Sequence, residues 1–234
     1  MDPSEVEEIT KIAVKEESDL IIIASPNASL PGPKAAAEIM SQTKKPIVLI
    51  TDDPARKSAD DFKAQGLGYI IVQGDPMIGA KQAFLDSTEM ALFNADIIRV
   101  LAGTGVFRLI HTEIDKVLKQ ISDGETPELP QMIVNKEIAV KYSGIKNPYA
   151  YAKAMASYEI ARRVGTLASQ GTFKVKEKER YLPILAAAHE MLRTAANLVD
   201  EAREIEKTND SVTRTTHFKD GSVHKKAGLF DKYD

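Results

Sequence analysis

From Leu20 to Ala24 the chain is apolar without a break, and it then turns polar and proline-rich at Ser25, Pro26 and Asn27. A run this short, rich in isoleucine and closed by turn residues, predicts a strand buried on both faces. Pro31, Gly32 and Pro33 follow, and helix formers resume at Lys34-Ala35-Ala36-Ala37-Glu38. The same order of events recurs twice. Residues 45–51 read as a second buried strand ending in Asp52-Asp53-Pro54, where a carboxylate can cap a helix over 55–65 that Gly66 closes. Residues 69–72 read as a third strand, ending in Gln73-Gly74-Asp75-Pro76-Met77. Strand, turn and helix in repeated succession predict a parallel, Rossmann-like α/β layer.

The chain also opens on a helix. Asp2 suits the N-cap, Pro3 the first turn and Glu5 the reciprocal capping position, and Val6, Ile9, Ile12 and Ala13 form the expected inward stripe. Such a helix normally crosses over from an earlier strand, so the first strand of the sheet is expected to be missing ahead of Met1. After Asp86 the period changes. Met90, Phe93, Ile97 and Leu101, then Val106, Leu109, Ile110, Ile114, Val117, Leu118 and Ile121, lie at helical spacing on either side of Gly103-Thr104-Gly105. Residues 131–134 read as a short strand. A helix from Asn147-Pro148 to about 169 is expected to turn Ala152, Met155, Ala156, Ile160, Val164 and Leu167 inward. The longest helix, 180–207, is expected to bury Ile184, Ala188, Met191, Ala195, Val199 and Ala202, its alanines allowing close helix approach. Asp220-Gly221 marks a hairpin in the tail. The expected organisation is an α/β layer over 1–85, a helical part over 86–210 forming subunit contacts, and a small β appendage over 211–234.

Composition narrows the classes. A net charge of −3 gives no electrostatic pointer to nucleic acid or an anionic membrane. With no cysteine there is no disulfide, thiolate nucleophile or cysteine zinc site. No apolar run approaches the ~18 residues of a membrane span, which predicts a cytoplasmic protein.

Candidate chemistry comes last. His189-Glu190-Met191-Leu192-Arg193 opens like the zinc-protease helix motif, but Arg193 stands where the second histidine must be, so a polar contact between helices or subunits is expected there and no metal. Gly103-Thr104-Gly105 lacks a third glycine and follows a helix, so it reads as a helix break and not as a phosphate loop. The three strand-end turns carry more. Asn27 and Ser29 offer hydrogen bonds, Asp52, Asp53 and Asp75 offer carboxylates, and Pro26, Pro31, Pro33, Pro76 and Met77 offer rigid apolar walls. Ligands collect at the carboxyl ends of strands in open parallel sheets. On the residues alone the reading stops at a ligand-binding α/β protein, with oxidoreductase chemistry open.

Longer segments add a resemblance. Pro26-Asn27-Ala28 with Pro31-Gly32-Pro33-Lys34-Ala35 is one match. Gln65-Gly66-Leu67-Gly68-Tyr69-Ile70 is a second, continuing through Phe84-Leu85-Asp86, Glu89-Met90-Ala91 and Asn94-Ala95-Asp96 to Thr104-Gly105-Val106-Phe107-Arg108. Asn147-Pro148-Tyr149-Ala150, Lys153-Ala154-Met155-Ala156, Glu179-Arg180-Tyr181, Ala188-His189-Glu190-Met191 and Asp200-Glu201-Ala202-Arg203-Glu204 extend it to Asn209-Asp210 and His217. Over nearly its whole length the chain resembles the coenzyme F420-dependent methylenetetrahydromethanopterin dehydrogenases of methanogenic archaea.

That resemblance implies reversible hydride transfer from the methylene carbon of the pterin-bound one-carbon unit to the oxidised deazaflavin, leaving a methenyl cation. It implies F420 as a dissociable co-substrate, tetrahydromethanopterin as the one-carbon carrier, no metal, and a homo-oligomer that is a trimer of dimers. The binding residues then expected are Pro26, Asn27, Ala28, Ser29, Pro31, Asp52, Asp53, Gly74, Asp75, Pro76 and Met77. Asp53 and Asp75 are the candidates for stabilising the cation electrostatically. Family members carry a strand and a glycine-containing turn ahead of the segment where this chain begins, so the chain is expected to be N-terminally shortened. Two readings follow: an active dehydrogenase, or a non-catalytic relative that keeps assembly but not coenzyme binding.

Overall fold

The computed structural model describes residues 3–80 and 85–234. The expected N-cap at Asp2 and the Phe84 of the second matching segment lie outside the described residues. Helix α1 (Pro3–Ala13) leads to strand β1 (Ile21–Ser25) and helix α2 (Pro31–Ser41). Strand β2 (Ile47–Asp52) is followed by a 3-10 stretch, Asp53–Ser58, and helix α3 (Ala59–Ala64). Strand β3 (Gly68–Val72) runs into a 3-10 turn, Met77–Gly79. Helices α4 (Ser87–Gly103) and α5 (Val106–Ser122) precede strand β4 (Gln131–Val134) and the short helix α6 (Lys136–Lys141). Helices α7 (Pro148–Phe173) and α8 (Lys178–Thr208) then lead to the hairpin strands β5 (Arg214–His217) and β6 (Val223–Lys226).

By packing, the chain divides into two compact units, neither continuous in sequence: residues 1–73 with 110–134, and residues 74–109 with 135–234. The first holds a four-stranded parallel sheet in the order β1-β2-β3-β4. This is the expected parallel α/β layer, and β4 belongs to it although 58 residues separate it from β3. The central strands bury their side chains on both faces, as their continuous apolar sequence requires: Val48, Leu49, Ile70 and Ile71 have at most 1% of their surface exposed. Each such side chain stabilises the sheet by roughly 1.5–3 kcal/mol.

Strand β1 departs from expectation. It is an edge strand with alternating burial, and Ile22 is 46% exposed. The α1 stripe is likewise corrected: Ile9 and Ile12 are exposed, and the inward positions are Val6 and Thr10. Thr10 satisfies its buried hydroxyl by donating to the Val6 carbonyl, and Val6 lies over Gly32 of α2. No side-chain cap forms at Asp52, because the segment after β2 enters a 3-10 stretch before it becomes α-helical.

The second unit is helical with the β5–β6 hairpin, which is antiparallel as Asp220-Gly221 predicts. Its centre is the α7–α8 pair. On α7 the buried seam is Ala150, Ala154, Tyr158, Ala161, Val164 and Ala168, whereas Ala152 and Ala156 of the expected face are exposed. Four alanines of the seam allow close helix approach around the buried Tyr158 ring, and Met155 and Ile160 are left half-buried at its flanks. On α8, Ala188, Ala195, Val199 and Ala202 are buried as expected, while Ile184 and Met191 are only half-buried. Glu206, buried at the same end, accepts the backbone N–H groups of Lys146 and Asn147 at 2.9 and 2.6 Å. Burial favours its neutral form, but the hydrogen bonds from Ser211, Asn147 and Lys146 outweigh that and hold its pKa below the ordinary value.

Candidate functional site

The parallel register aligns the strand ends. Ser25 is opposite Thr51, Asp52 is opposite Val72, and Val72 is opposite Val134. The turns after β1 and β2 therefore leave the sheet from one rim, as the strand order predicts. The turn after β1 is largely self-contained. Asn27 Oδ1 accepts the Ser29 N–H at 3.1 Å, Ser25 Oγ accepts the Asn27 N–H at 3.3 Å, and the Leu30 N–H reaches the Asn27 carbonyl at 3.2 Å. It is tied to the neighbouring strand through Ala28, whose N–H donates to the buried Thr51 Oγ1 at 3.0 Å. Ala28 itself is core, packed with Ala37, Leu49 and Ile71. Ser29 ends this turn with a buried hydroxyl that has no hydrogen-bond partner among the described residues. A buried hydroxyl without a partner costs free energy, so it is a group that a bound polar ligand would satisfy.

The N-terminus of α2 is not an anion cradle, although it directly follows this turn. Pro31 and Pro33 carry no N–H, Lys34 already donates to Leu30, and Gly32 is buried beneath Val6. The amides that would hold a phosphate are absent or covered.

At the end of β2, Asp52 is buried and Asp53 is part-exposed. Asp53 is held from two sides: the buried Gln73 donates its side-chain amide to Oδ1 at 2.8 Å, and Arg56 Nε lies 3.5 Å away. Much of the charge of Asp53 is thereby already answered within the protein. Gln73 and Thr51 were not foreseen. The available signal was position alone, a polar residue closing an otherwise apolar strand.

Gly74 to Met77 begin the second unit, and they are built differently. Gly74 lies against the ring of Tyr158, so close that a Cβ would come within 2.6 Å of it. Asp75 Oδ1 accepts the Met77 N–H at 3.0 Å, Pro76 is buried and Met77 is exposed. Desolvation pushes the Asp75 pKa up to about 6, against a smaller lowering by the Met77 N–H. Among the described residues no cationic side chain pairs with Asp75. Its carboxylate is thus the electrostatically less satisfied of the two candidate aspartates.

The remaining motifs resolve plainly. His189 lies on the ring of Phe93, with centroids 4.0 Å apart, and its Nε2 is 3.1 Å from the Gly79 carbonyl. The expected polar contact of His189 is therefore made within the chain. Gly105 has φ +92° and is packed against the backbone of Ala139 and Ser143, where even a Cβ would clash. That leaves no room for phosphate and makes Gly103-Thr104-Gly105 the break between α4 and α5. A groove of about 880 Å³, lined by residues such as Gly66, Lys116, Lys119 and Pro130, opens at the amino ends of β3 and β4. It lies at the end of the sheet opposite to the rim, and its mixed charges offer no convergent chemistry.

The architecture is that of a parallel α/β protein whose strand-end turns carry polar and carboxylate side chains, the rim at which ligands collect in open parallel sheets. Its relatives make this specific. All 234 residues match the family model for methylene-5,6,7,8-tetrahydromethanopterin dehydrogenase. The chain belongs to that family. It is 51% identical to the F420-dependent methylenetetrahydromethanopterin dehydrogenase of Methanocaldococcus jannaschii, over 99% of this chain and 84% of that protein. Against the enzyme of the same name from Archaeoglobus fulgidus it is 52% identical over 92% of this chain and 78% of that one. A solved F420-dependent methylene-tetrahydromethanopterin dehydrogenase, in complex with methylene-tetrahydromethanopterin and coenzyme F420, superposes with a TM-score of 0.94 at 42% identity. That match covers all of this chain and 85% of the solved one.

Proposed function

We propose that this protein catalyses reversible hydride transfer between methylenetetrahydromethanopterin and oxidised coenzyme F420, yielding methenyltetrahydromethanopterin and reduced F420. The observation that carries the reading is the likeness, over all of this chain and 85% of the other, to a solved enzyme holding both molecules. The reaction is an oxidoreductase step of methane formation from carbon dioxide. The deazaflavin supplies the hydride-accepting carbon when bound, so the protein needs neither a metal nor a nucleophile of its own. What the chain must supply is binding, orientation, exclusion of water and compensation of charge.

Two sets of residues are assigned to that work. In the first unit, Pro26, Asn27, Ala28, Ser29, Pro31, Asp52 and Asp53 form the binding rim. The unpartnered Ser29 hydroxyl supports this, since it fits the polar edge of a ligand. In the second unit, Gly74, Asp75, Pro76 and Met77 are assigned, with Met77 as exposed apolar surface and Asp75 as the charge-compensating group. A carboxylate kept short of solvation gains most when a cation forms beside it, and the methenyl product is a cation. Asp53, already answered by Gln73 and Arg56, is the weaker candidate.

The assembly is assigned as a homohexamer, a trimer of dimers, with subunit contacts made by the helical part. The hairpin and tail favour association, since Phe230 is 95% and Leu229 57% exposed there. Sedimentation should give six times the chain mass. The protein is assigned to the cytoplasm, and cell fractionation should recover the activity in the soluble fraction. The test of function is a titration of the chain with oxidised F420 followed by methylenetetrahydromethanopterin. Bleaching of the deazaflavin absorption is expected on adding the pterin. No bleaching from a chain shown to be folded and assembled overturns the reading.

A further inference from the structure

The segment Gly74–Ala80 is held almost entirely by residues distant in sequence. Gly74 abuts the ring of the fully buried Tyr158 of α7. The Asp75 carbonyl and Pro76 Cα pass over Gly165 of the same helix, each 3.8 Å from where its Cβ would stand. Gly79 fits against Phe93 of α4 and Ala168 of α7, where a Cβ would come within 2.8 Å of the Phe93 ring. Within the segment, the Gly79 N–H donates to the Pro76 carbonyl, the Ala80 N–H to the Met77 carbonyl and the Met77 N–H to Asp75 Oδ1. The polar anchor is His189 of α8, with Nε2 3.1 Å from the Gly79 carbonyl. A carbonyl oxygen only accepts, so Nε2 carries the proton. Burial holds the His189 pKa below the usual value, against the opposing pull of the Gly79 carbonyl, Glu89 and Glu190, and this favours the neutral ring.

We infer that His189 is a positioning residue for the reaction: by holding the Gly79 carbonyl from below Phe93, it fixes the turn that sets where the Asp75 carboxylate stands. The inference rests on the assignment of Asp75 as the charge-compensating group. It gives His189, four residues before Arg193 in what begins like a zinc helix motif, a role that involves no metal. Stacking on Phe93 sets the plane of the ring, and the Gly79 carbonyl uses its N–H. Gly79 belongs to the turn and Phe93 to α4, so losing the donor leaves this end of the turn held by apolar packing alone while Tyr158 still holds the other.

The test uses the full chain, assayed with F420 and methylenetetrahydromethanopterin. His189→Phe keeps an aromatic ring against Phe93 and removes the donor; His189→Gln restores a donor at similar reach. His189→Phe is expected to lower kcat by about 10- to 100-fold, the cost of misplacing a reacting group by ~1 Å, with KM for both substrates within about twofold. His189→Gln should recover most of the loss. In an Asp75→Asn background, His189→Phe should cost nothing further, because both changes remove one function. A kcat within about twofold of wild type, a loss confined to KM, or an equal loss in both backgrounds overturns the inference. Failure of the Asp75 assignment is separately visible, as wild-type turnover in Asp75→Asn alone, and it takes the inference with it. Should His189→Phe not fold, His189→Asn, too short to reach the Gly79 oxygen, carries the same comparison.

Discussion

The turn after β1 and the turn after β3 leave strands on either side of β2 and differ in how much of their support comes from distant residues. Pro26–Ser29 is built from its own side chains, with Ser25 and Asn27 accepting N–H groups two residues on. Gly74–Ala80 has one such bond, from the Met77 N–H to Asp75 Oδ1, and is packed against Tyr158, Gly165, Phe93 and His189, between 14 and 110 residues away. A turn of the first kind keeps its conformation whatever packs beside it. A turn of the second kind moves when its supports move. The carboxylate proposed to compensate the cation stands on the second kind, so the proposal ties activity to helices that contain no assigned binding residue.

The largest effect expected separates the two aspartates. Asp75→Asn should lower kcat by about a hundredfold, the scale of removing one preorganised electrostatic partner of a transition state. Asp53→Asn should cost less than about threefold, since Gln73 and Arg56 already answer that charge. The wild-type rate should also fall as pH drops below about 6, where Asp75 takes up its proton, and this limb should vanish in Asp75→Asn. Equal effects of the two substitutions on kcat would erase the distinction between the two turns.

Next in size is the support beneath the second turn. Gly74→Ala forces a methyl group into the buried Tyr158 ring and should destabilise the protein by ~1–3 kcal/mol in denaturant unfolding. Pro26→Ala, in the self-held turn, should change stability by less than about 1 kcal/mol.

A smaller and opposite effect is expected from Asp75 on stability. Its folded pKa, about 6, lies above the ordinary 3.8, so the folded state binds the proton more tightly. The carboxylate is therefore neutral and without cost below about pH 4, and its cost grows as pH rises through about 6. The shift sets a ceiling of about 3 kcal/mol, and partial exposure of the side chain lowers the expected gain of Asp75→Asn to ~1–2 kcal/mol. Thermal unfolding should show Asp75→Asn more stable than wild type at pH 7 and equal to it at pH 4. The smallest effect is that of Ser29→Ala. Removing an unsatisfied buried hydroxyl should leave stability within about 0.5 kcal/mol or raise it, while KM for one of the two substrates rises severalfold.

The elements of the first unit were legible because their signals are local. Apolar runs of four to six residues ending at Pro26, Asp52 and Gln73 are strands wherever they occur in a parallel sheet, and Gly66 and Gly221 mark turns by their need for positive φ. The rim was legible for the same reason, through the rule that parallel strands leave their turns on one side. Burial was less so. Ile9, Ile12 and Ile22 are apolar and exposed, because hydropathy states a preference while sheet order and helix position decide which face is covered. The seam of α7 runs through Ala154, Tyr158 and Ala161, while Ala152 and Ala156 at similar spacing are exposed, since the packing partner and not side-chain size along the helix decides which face is covered.

By itself the sequence determined the family, the parallel layer, the helical remainder, the hairpin and the strand-end turns, all of which follow from short-range periodicity, turn chemistry and long idiosyncratic matches. Only the tertiary structure decided which aspartate is desolvated, which is answered by Gln73 and Arg56, and what His189 holds. Desolvation and hydrogen bonding to partners tens of residues away are sums over neighbours in space, and no spacing along the chain encodes them.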